Sequence, residues 1–217
     1  MNKRDVIKKT QEYVKKILER EVSGHDWWHT YRVWKISLRL AKKEKNVNLF
    51  VIELAALLHD IEDWKLCNNY SASTSLARKW LENMKVDEEI ISHVCEIIRD
   101  ISFKGAYVKS NIKTKEGKIV QDADRLDAIG AIGIARCFAT GAKLGKVLHN
   151  PNIKPRLHKN FYNYKISKTT TVNHFYEKLL LLKKLMNTKE AKKIAEKRDR
   201  FMRVFLKRFF KEWYLRD

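Results

Sequence analysis

The sequence predicts an all-α protein from three observations. Only two prolines and seven glycines interrupt its 217 residues, so long stretches contain none of the residues that break helices. Apolar side chains recur at helical spacing, beginning with Val6, Tyr13, Val14, Ile17 and Leu18. No alternating apolar and polar run extends beyond a few residues, so no strand is expected.

Capping residues and breaks in the apolar pattern divide the chain into helices. Asn48 caps a helix whose apolar face runs directly into His59-Asp60, Ser71 or Ser73 begins another, and Asp87 caps the next. Residues 104–117 and 143–168 are expected to be loops. The expected helices span approximately residues 3–20, 26–45, 48–60, 71–84, 87–101, 119–142, 170–187 and 189–215.

Composition narrows the class of protein. Hydrophobic residues make up 44% of the chain, which excludes a disordered tail. The three cysteines include no CxxC pair, so neither a disulfide framework nor a structural zinc knuckle is indicated. The N-terminus is charged, and no apolar run approaches the length of a membrane span. We therefore expect a cytoplasmic protein with no membrane partner.

The formal net charge of +20 has two interpretations. A polyanionic partner would explain it, and nucleic acid, a phosphorylated metabolite and an anionic membrane all qualify. A lysine-rich composition with solvated helix faces would explain it equally simply. The C-terminal run 183–211 is basic but keeps apolar positions at helical spacing, so the solvated face is the favoured interpretation and nucleic acid stays an alternative.

Two histidines and two aspartates carry the strongest chemical signal. His29 lies in the second expected helix, the pair His59-Asp60 ends the third, and Asp124 lies in the helix expected at 119–142. The apolar run 54–58 places the pair in a buried position, where ionisable groups need a partner. Neighbouring helix residues project about 100° apart, so both members of the pair reach one ion only near a helix end or from the crevice beside it. Imidazole and carboxylate donors suit Mn²⁺, Fe²⁺, Co²⁺, Ni²⁺ or Zn²⁺ better than Ca²⁺.

These motifs resemble those of a known family. His29, then LLHDIED at 57–63, then QDADRLDAIG at 121–130 is similar to the HD superfamily of metal-dependent phosphohydrolases. HDWWHTYRVWKI at 25–36, ISHVCEIIRDISFKG at 91–105 and the segments at 173–202 and 205–213 resemble one bacterial subfamily of small HD hydrolases. Some members of that subfamily cleave nucleoside triphosphates to the monophosphate and pyrophosphate.

The resemblance implies a fold and a ligand set. The fold is an HD-domain helical bundle with long C-terminal helices, in one domain over 1–217 with a motif core at about 25–130 and a helical extension at about 170–215. The implied metal ligands are His29, His59, Asp60 and Asp124, with Mn²⁺ favoured and Fe²⁺, Co²⁺, Ni²⁺, Zn²⁺ or Mg²⁺ as alternatives.

Residues next to the ligands are candidates for catalysis and phosphate binding. Asp63, four residues after His59, shares its helix face if the helix continues, and would orient water or accept its proton. It is equally open that Asp63 instead hydrogen-bonds a metal ligand or caps a helix. Arg125, Lys65, Lys104 and Arg32 are candidate phosphate ligands, with Arg125 favoured because it follows a ligand. Arg32 has an alternative scaffolding role with Asp26 or Asp127.

Three further polar residues have a structural and a functional interpretation. His25, Asp26 and His93 would serve the pocket or a second metal ion, or would make structural hydrogen bonds, and the structural role is favoured.

The sequence thus predicts a divalent-metal-dependent phosphohydrolase acting on a small phosphorylated molecule, with nucleotides favoured and (deoxy)nucleoside triphosphates as candidate substrates. The alternatives are a nucleotide phosphomonoesterase, a basic nucleic-acid-binding protein with a vestigial metal site, and a metal-binding regulatory protein.

Overall fold

The computed structural model describes residues 2–62, 74–103, 105–158 and 169–216, together with the single positions 162 and 167. Every regular element within these ranges is helical, which confirms the all-α class. The chain forms two compact units, one comprising Met1–Phe103 and Lys109–Asp124 and the other Lys104–Val108 and Arg125–Asp217. The single domain predicted over 1–217 stays a prediction.

The first unit is built around an apolar helix. Eight of the ten residues of α3 are buried, and α3 packs against α1, α2 and α5. Such a helix has no polar face because neighbours cover it on several sides. The elements are α1 (Lys3–Leu18), α2 (Trp27–Ala41), α3 (Leu49–Leu58), α4 (Ser75–Asn83), α5 (Glu88–Ile101) and the first part of α6 (Lys115–Asp127).

Side-chain caps fix where these helices begin. The Asn48 side chain accepts from the backbone N–H groups of Phe50 and Val51, and Asp26 caps α2 in the same way. Asp87 occupies the N-cap position of α5, but its side chain makes no cap hydrogen bond. The predicted side-chain cap at Asn48 is therefore confirmed, whereas at Asp87 only the predicted start of the helix is confirmed. Thr74 is the N-cap residue of α4, whereas Ser71 and Ser73 lie outside the described residues.

The second unit contains α7 (Gly130–Lys143), a short helix α8 (Asn173–Glu177), a 3₁₀ helix (Leu179–Leu185) and α9 (Lys189–Trp213). The single helix predicted at 119–142 is interrupted between Asp127 and Gly130. Gly130 has a φ of +81°, which a glycine adopts at little cost and which a helix excludes.

The long helix predicted near 170–187 is wrong. The backbone of Lys178 leaves helical geometry, and the following turn is 3₁₀ rather than α. Leu179 and Leu182 are both buried, and their separation of three residues aligns them in a helix of three residues per turn. The apolar repeat is helical, as predicted, but its period is that of a 3₁₀ helix and not that of an α-helix.

None of the described helices is long and apolar enough to cross a bilayer.

Candidate metal centre

His59 and Asp60 lie at the carboxyl end of α3. The helix ends at Leu58, and His59 is its C-cap residue. Both residues are buried, with 7% and 5% of their surface exposed. This confirms that the pair follows a helix end, where two consecutive side chains can converge. The end of α3 also removes the helical spacing on which the placement of Asp63 relied.

His29 and Asp124 approach this pair from two other helices. His29 is in the first turn of α2, where its backbone N–H donates to the Asp26 carboxylate at 2.8 Å. Its side chain is almost fully buried, whereas that of Asp124 on α6 is 29% exposed. Asp124 therefore gives the cluster a solvent-accessible edge.

Three of the four predicted ligands, His29, His59 and Asp124, bring one ligand atom each within 4.8 Å of one another, and Asp60 lies against the two imidazoles of this group. The two Nε2 atoms of His29 and His59 are 3.2 Å apart. Asp60 Oδ2 lies 3.1 Å from His29 Nε2, and Asp60 Oδ1 lies 3.6 Å from His59 Nε2. Asp124 Oδ1 lies 3.6 Å from the first imidazole nitrogen and 3.9 Å from the second.

These separations fit a metal ion. Ligand atoms at about 2.1 Å from one ion are about 3.0 Å apart at neighbouring corners of an octahedron and about 3.4 Å apart in a tetrahedron. Asp60 Oδ2 is buried, and no hydrogen bond of acceptable geometry reaches it from the described residues. A buried carboxylate oxygen of this kind is costly unless a cation compensates it.

A backbone contact fixes the tautomer of His59. Its Nδ1 atom lies 2.9 Å from the carbonyl oxygen of Ala56. A carbonyl only accepts, so Nδ1 carries the proton and Nε2 of the neutral ring presents a lone pair to the cluster. Sequence reasoning missed this contact, because a backbone carbonyl leaves no signal in the residue pattern.

The electrostatics favour a charged carboxylate at Asp60. Burial alone would raise the pKa of its carboxyl, but the charge of a protonated His59, then the close contact and charge of His29, and then the charge of His25 hold the pKa well below its ordinary value when these imidazoles are protonated. The cluster thus offers an anionic ligand at neutral pH.

Three nearby polar residues have hydrogen-bonding roles. His25 Nδ1 lies 3.1 Å from Ser23 Oγ, and the His25 ring meets that of His29 edge-on with centroids 5.8 Å apart. His93 Nε2 lies 3.0 Å from Thr114 Oγ1, and Asp26 caps α2. These contacts agree with the favoured structural interpretation of all three residues.

The structure says less about the predicted catalytic and phosphate-binding residues than about the predicted metal ligands. Asp63, Lys65 and Lys104 lie outside the described residues. Arg32 is half-buried on α2, one turn beyond His29. Arg125 is buried, and its guanidinium donates to the carbonyl oxygen of Leu185. The structure therefore gives Arg125 a structural contact, and its role toward substrate stays a prediction.

Comparison with known proteins places these residues in a family. The family model described as HD domain matches residues 27–129, a range that contains all four converging side chains. The YpgQ protein of Bacillus subtilis (strain 168) is 39% identical over 202 residues, covering 92% of this chain and 90% of YpgQ.

Solved structures extend the likeness to nearly the whole chain. A Lactobacillus plantarum protein superposes with a TM-score of 0.87 at 36% identity, covering 99% of this chain and 100% of that protein. An HD-superfamily hydrolase from Bacillus thuringiensis superposes with a TM-score of 0.72 at 46% identity, covering 98% and 99%. YpgQ, solved in complex with ADP, superposes with a TM-score of 0.73 at 34% identity, covering 95% and 97%.

The family predicted from the motifs is confirmed by this agreement of sequence and fold, and the chain belongs to the HD superfamily of hydrolases.

Proposed function

We propose that this chain is a divalent-metal-dependent phosphohydrolase that acts on nucleotides. Its favoured reaction converts a (deoxy)nucleoside triphosphate and water into the monophosphate and pyrophosphate. The observation that carries the proposal is the cluster of His29, His59 and Asp124, with buried Asp60 against both imidazoles, in a chain of the HD superfamily. The nucleotide part draws support from the ADP complex of YpgQ.

The metal would be held by these four side chains. Two imidazole nitrogens and two carboxylates suit a first-row divalent ion; we favour Mn²⁺ and keep Fe²⁺, Co²⁺, Ni²⁺, Zn²⁺ and Mg²⁺ as alternatives. A divalent ion supplies Lewis acidity toward a phosphoryl oxygen and toward water.

A carboxylate that follows Asp60 in the sequence is proposed to take the proton of the attacking water, and the two candidates are Glu62 and Asp63. The Glu62 carboxylate accepts from Ser75 Oγ at 2.7 Å and from the backbone N–H of Leu76 at 2.7 Å. Both oxygens of the Glu62 carboxylate are therefore hydrogen-bonded to the first residues of α4. We assign the proton-accepting role to Asp63.

Cationic side chains are proposed to hold the β and γ phosphates as a leaving group. The candidates are Arg125, Lys65, Lys104 and Arg32. The water oxygen bonds to the α phosphorus, the bond from that phosphorus to its bridging oxygen breaks, and pyrophosphate departs with both electrons of that bond. Fixed cations around the β and γ phosphates favour this bond because they stabilise the charge that develops on pyrophosphate.

Hydrolysis in ¹⁸O-labelled water tests which bond is cleaved. With a nucleoside triphosphate and Mn²⁺, we expect the label in the nucleoside monophosphate and not in pyrophosphate. Labelled orthophosphate with accumulating nucleoside diphosphate would show cleavage at the γ phosphate instead. Orthophosphate released from a nucleoside monophosphate would favour the phosphomonoesterase.

Substitution of the proposed phosphate ligands tests their role. Arg125→Ala and Arg32→Ala should each reduce turnover of a triphosphate far more than turnover of an activated aryl phosphate monoester, which has no β or γ phosphate to hold. Arg39→Ala, an exposed arginine on the same helix as Arg32, is the matched control. Thermal unfolding of Arg125→Ala is measured alongside, because its guanidinium also contacts Leu185.

A further inference from the structure

An exposed apolar surface lies at one end of the second unit, outside the unit that contains the metal centre. Five large apolar residues form it, and we call it the terminal apolar surface. Their exposed fractions are 57% for Val147, 53% for Leu148, 41% for Trp213, 44% for Tyr214 and 92% for Leu215. Large apolar side chains that are exposed in neighbouring segments mark an interaction site more often than single exposed apolar residues do.

The two segments that contribute these residues are joined through His149. Its ring meets that of Trp213 edge-on with centroids 5.0 Å apart and that of Phe210 at 5.3 Å. Its ring nitrogens make no hydrogen bond within the described part of the chain. Burial, and then the charge of Lys154, lower the pKa of His149 and favour its neutral form. The neutral ring packs between the two segments as an apolar group.

The backbone beneath Val147 and Leu148 is held in place. The backbone N–H of Thr171 donates to the Val147 carbonyl at 3.0 Å, and that of Val172 donates to the Leu148 carbonyl at 3.0 Å. Thr171 and Val172 are themselves buried. The two side chains are thus presented outward by a fixed backbone rather than exposed by a loose loop.

The charge around the surface is almost entirely positive. Residues 141–158 contain four basic and no acidic side chains, and residues 203–217 contain five basic and two acidic side chains. One of the two acidic residues, Glu212, accepts from Arg208 Nε at 2.6 Å. Whatever covers the surface therefore has to combine an apolar phase with negative charge.

We propose that the terminal apolar surface binds an anionic phospholipid bilayer. Trp and Tyr side chains favour the boundary between headgroups and acyl chains, and Leu and Val enter the apolar side of that boundary. The surrounding Lys and Arg side chains then meet the lipid phosphates.

Other occupants fit less well. A second copy of the chain would bring two strongly basic rims together, and nucleic acid offers phosphate but no partner for aliphatic Leu148 and Leu215.

This binding is peripheral and differs from the sequence expectation that no membrane takes part. It does not depend on the proposed function, because the surface and the metal centre belong to different units of the chain. Phosphohydrolase activity on a soluble substrate can fail or succeed without affecting it.

Vesicle sedimentation tests the apolar part of the proposal. The full-length protein should sediment with vesicles of phosphatidylcholine and phosphatidylglycerol and not with pure phosphatidylcholine vesicles at the same salt concentration. Leu148→Ser and Trp213→Ser should each weaken binding about tenfold or more, since each removes a large apolar side chain from the bilayer. Val22→Ser is the matched control, because Val22 is 80% exposed and lies in the first unit.

Charge variants test the electrostatic part. Lys211→Gln should weaken binding about fivefold, the contribution of one basic residue near an anionic leaflet. Lys193→Gln, an equally exposed lysine at the opposite end of α9, should leave binding unchanged. Circular dichroism confirms that each variant is folded.

Three results would overturn the proposal. The first is no sedimentation with anionic vesicles at low salt. The second is duplex DNA binding at least as tight as vesicle binding and unaffected by Leu148→Ser. The third is a concentration-dependent dimer that Leu148→Ser and Trp213→Ser both dissociate, which would assign the surface to a second copy of the chain.

Discussion

Two aspartates with nearly equal burial, Asp60 in the first unit and Asp199 in the second, have very different surroundings. Asp199 is 3% exposed and Asp60 is 5% exposed. Arg203 donates to both Asp199 oxygens, at 2.9 and 3.3 Å, and Lys183 Nζ lies 3.4 Å away. The nearest charged groups described for Asp60 are imidazoles.

The comparison separates a structural carboxylate from a carboxylate that we propose to be a metal ligand. Permanent cations compensate the charge of Asp199, so that carboxylate needs no ion from outside the protein. Imidazoles are cations only when protonated, and His59 presents a lone pair toward Asp60 when it is neutral. The lone pair that neutral His59 presents and the carboxylates of Asp60 and Asp124 lie around a largely buried site, an arrangement that a bound cation stabilises. The same residue type, equally buried, therefore has a different role because of its neighbours.

The largest expected effect concerns activity. His59→Ala and Asp60→Ala should each reduce turnover about a thousandfold or more, because loss of the metal removes several kcal/mol of transition-state stabilisation. Asp199→Asn should retain most of the wild-type kcat per folded molecule. Steady-state kinetics on a nucleoside triphosphate measures all three, and equal losses in Asp60→Ala and Asp199→Asn would remove the distinction.

Metal binding should also stabilise the fold. At a free Mn²⁺ concentration about a hundred times the Kd, the free energy of unfolding should rise by about 2.7 kcal/mol. Differential scanning calorimetry with and without Mn²⁺ should show the shift in the wild type and in Asp199→Asn, and no shift in His59→Ala. A shift that persists in His59→Ala would locate the stabilising ion elsewhere.

Substitution of Asp199 should have a smaller effect, on the free energy of unfolding of the metal-free protein. Asp199→Asn should lower the free energy of unfolding by about 1–3 kcal/mol, less than a fully buried ion pair, because Arg203 is more than half exposed and water can solvate its charge after the substitution. Glu196→Gln, an exposed position on the same helix, is the control. Urea denaturation of metal-free protein measures both variants, and equal stability would contradict the structural role.

The smallest effect is expected where a carboxylate is exposed. Glu88 accepts from Arg78 Nη1 at 2.9 Å and from Ser92 Oγ at 2.7 Å. These contacts, Ser92 first and then Arg78, lower the pKa of Glu88, yet water solvates both partners. Glu88→Gln should leave the urea midpoint and turnover unchanged, and a large loss of either would show that burial does not distinguish these carboxylates.

The sequence predicted the elements of the site better than the geometry between them. The apolar run before His59 and the cap at Asn48 are local signals, and the structure confirms both. Other contacts are not local. The contact of His29 with His59 in the cluster joins positions thirty residues apart, and the structural contact between Arg125 and Leu185 in the second unit joins positions sixty apart. Residue patterns contain no distance information over such separations.

The misassigned helix near 170–187 has a related cause. Its leucine run satisfies an α-helical and a 3₁₀ spacing almost equally well, so packing of Leu179 and Leu182 decides the period. The all-α class was unaffected, because both periods are helical.

Metal content is the most direct test of the central claim that His29, His59, Asp60 and Asp124 hold one divalent ion. Equilibrium dialysis against Mn²⁺ followed by elemental analysis should find about one ion per chain in the wild type and in Asp199→Asn. The ion should be absent from His59→Ala and Asp60→Ala under the same conditions. Full occupancy in both of those variants would contradict the claim.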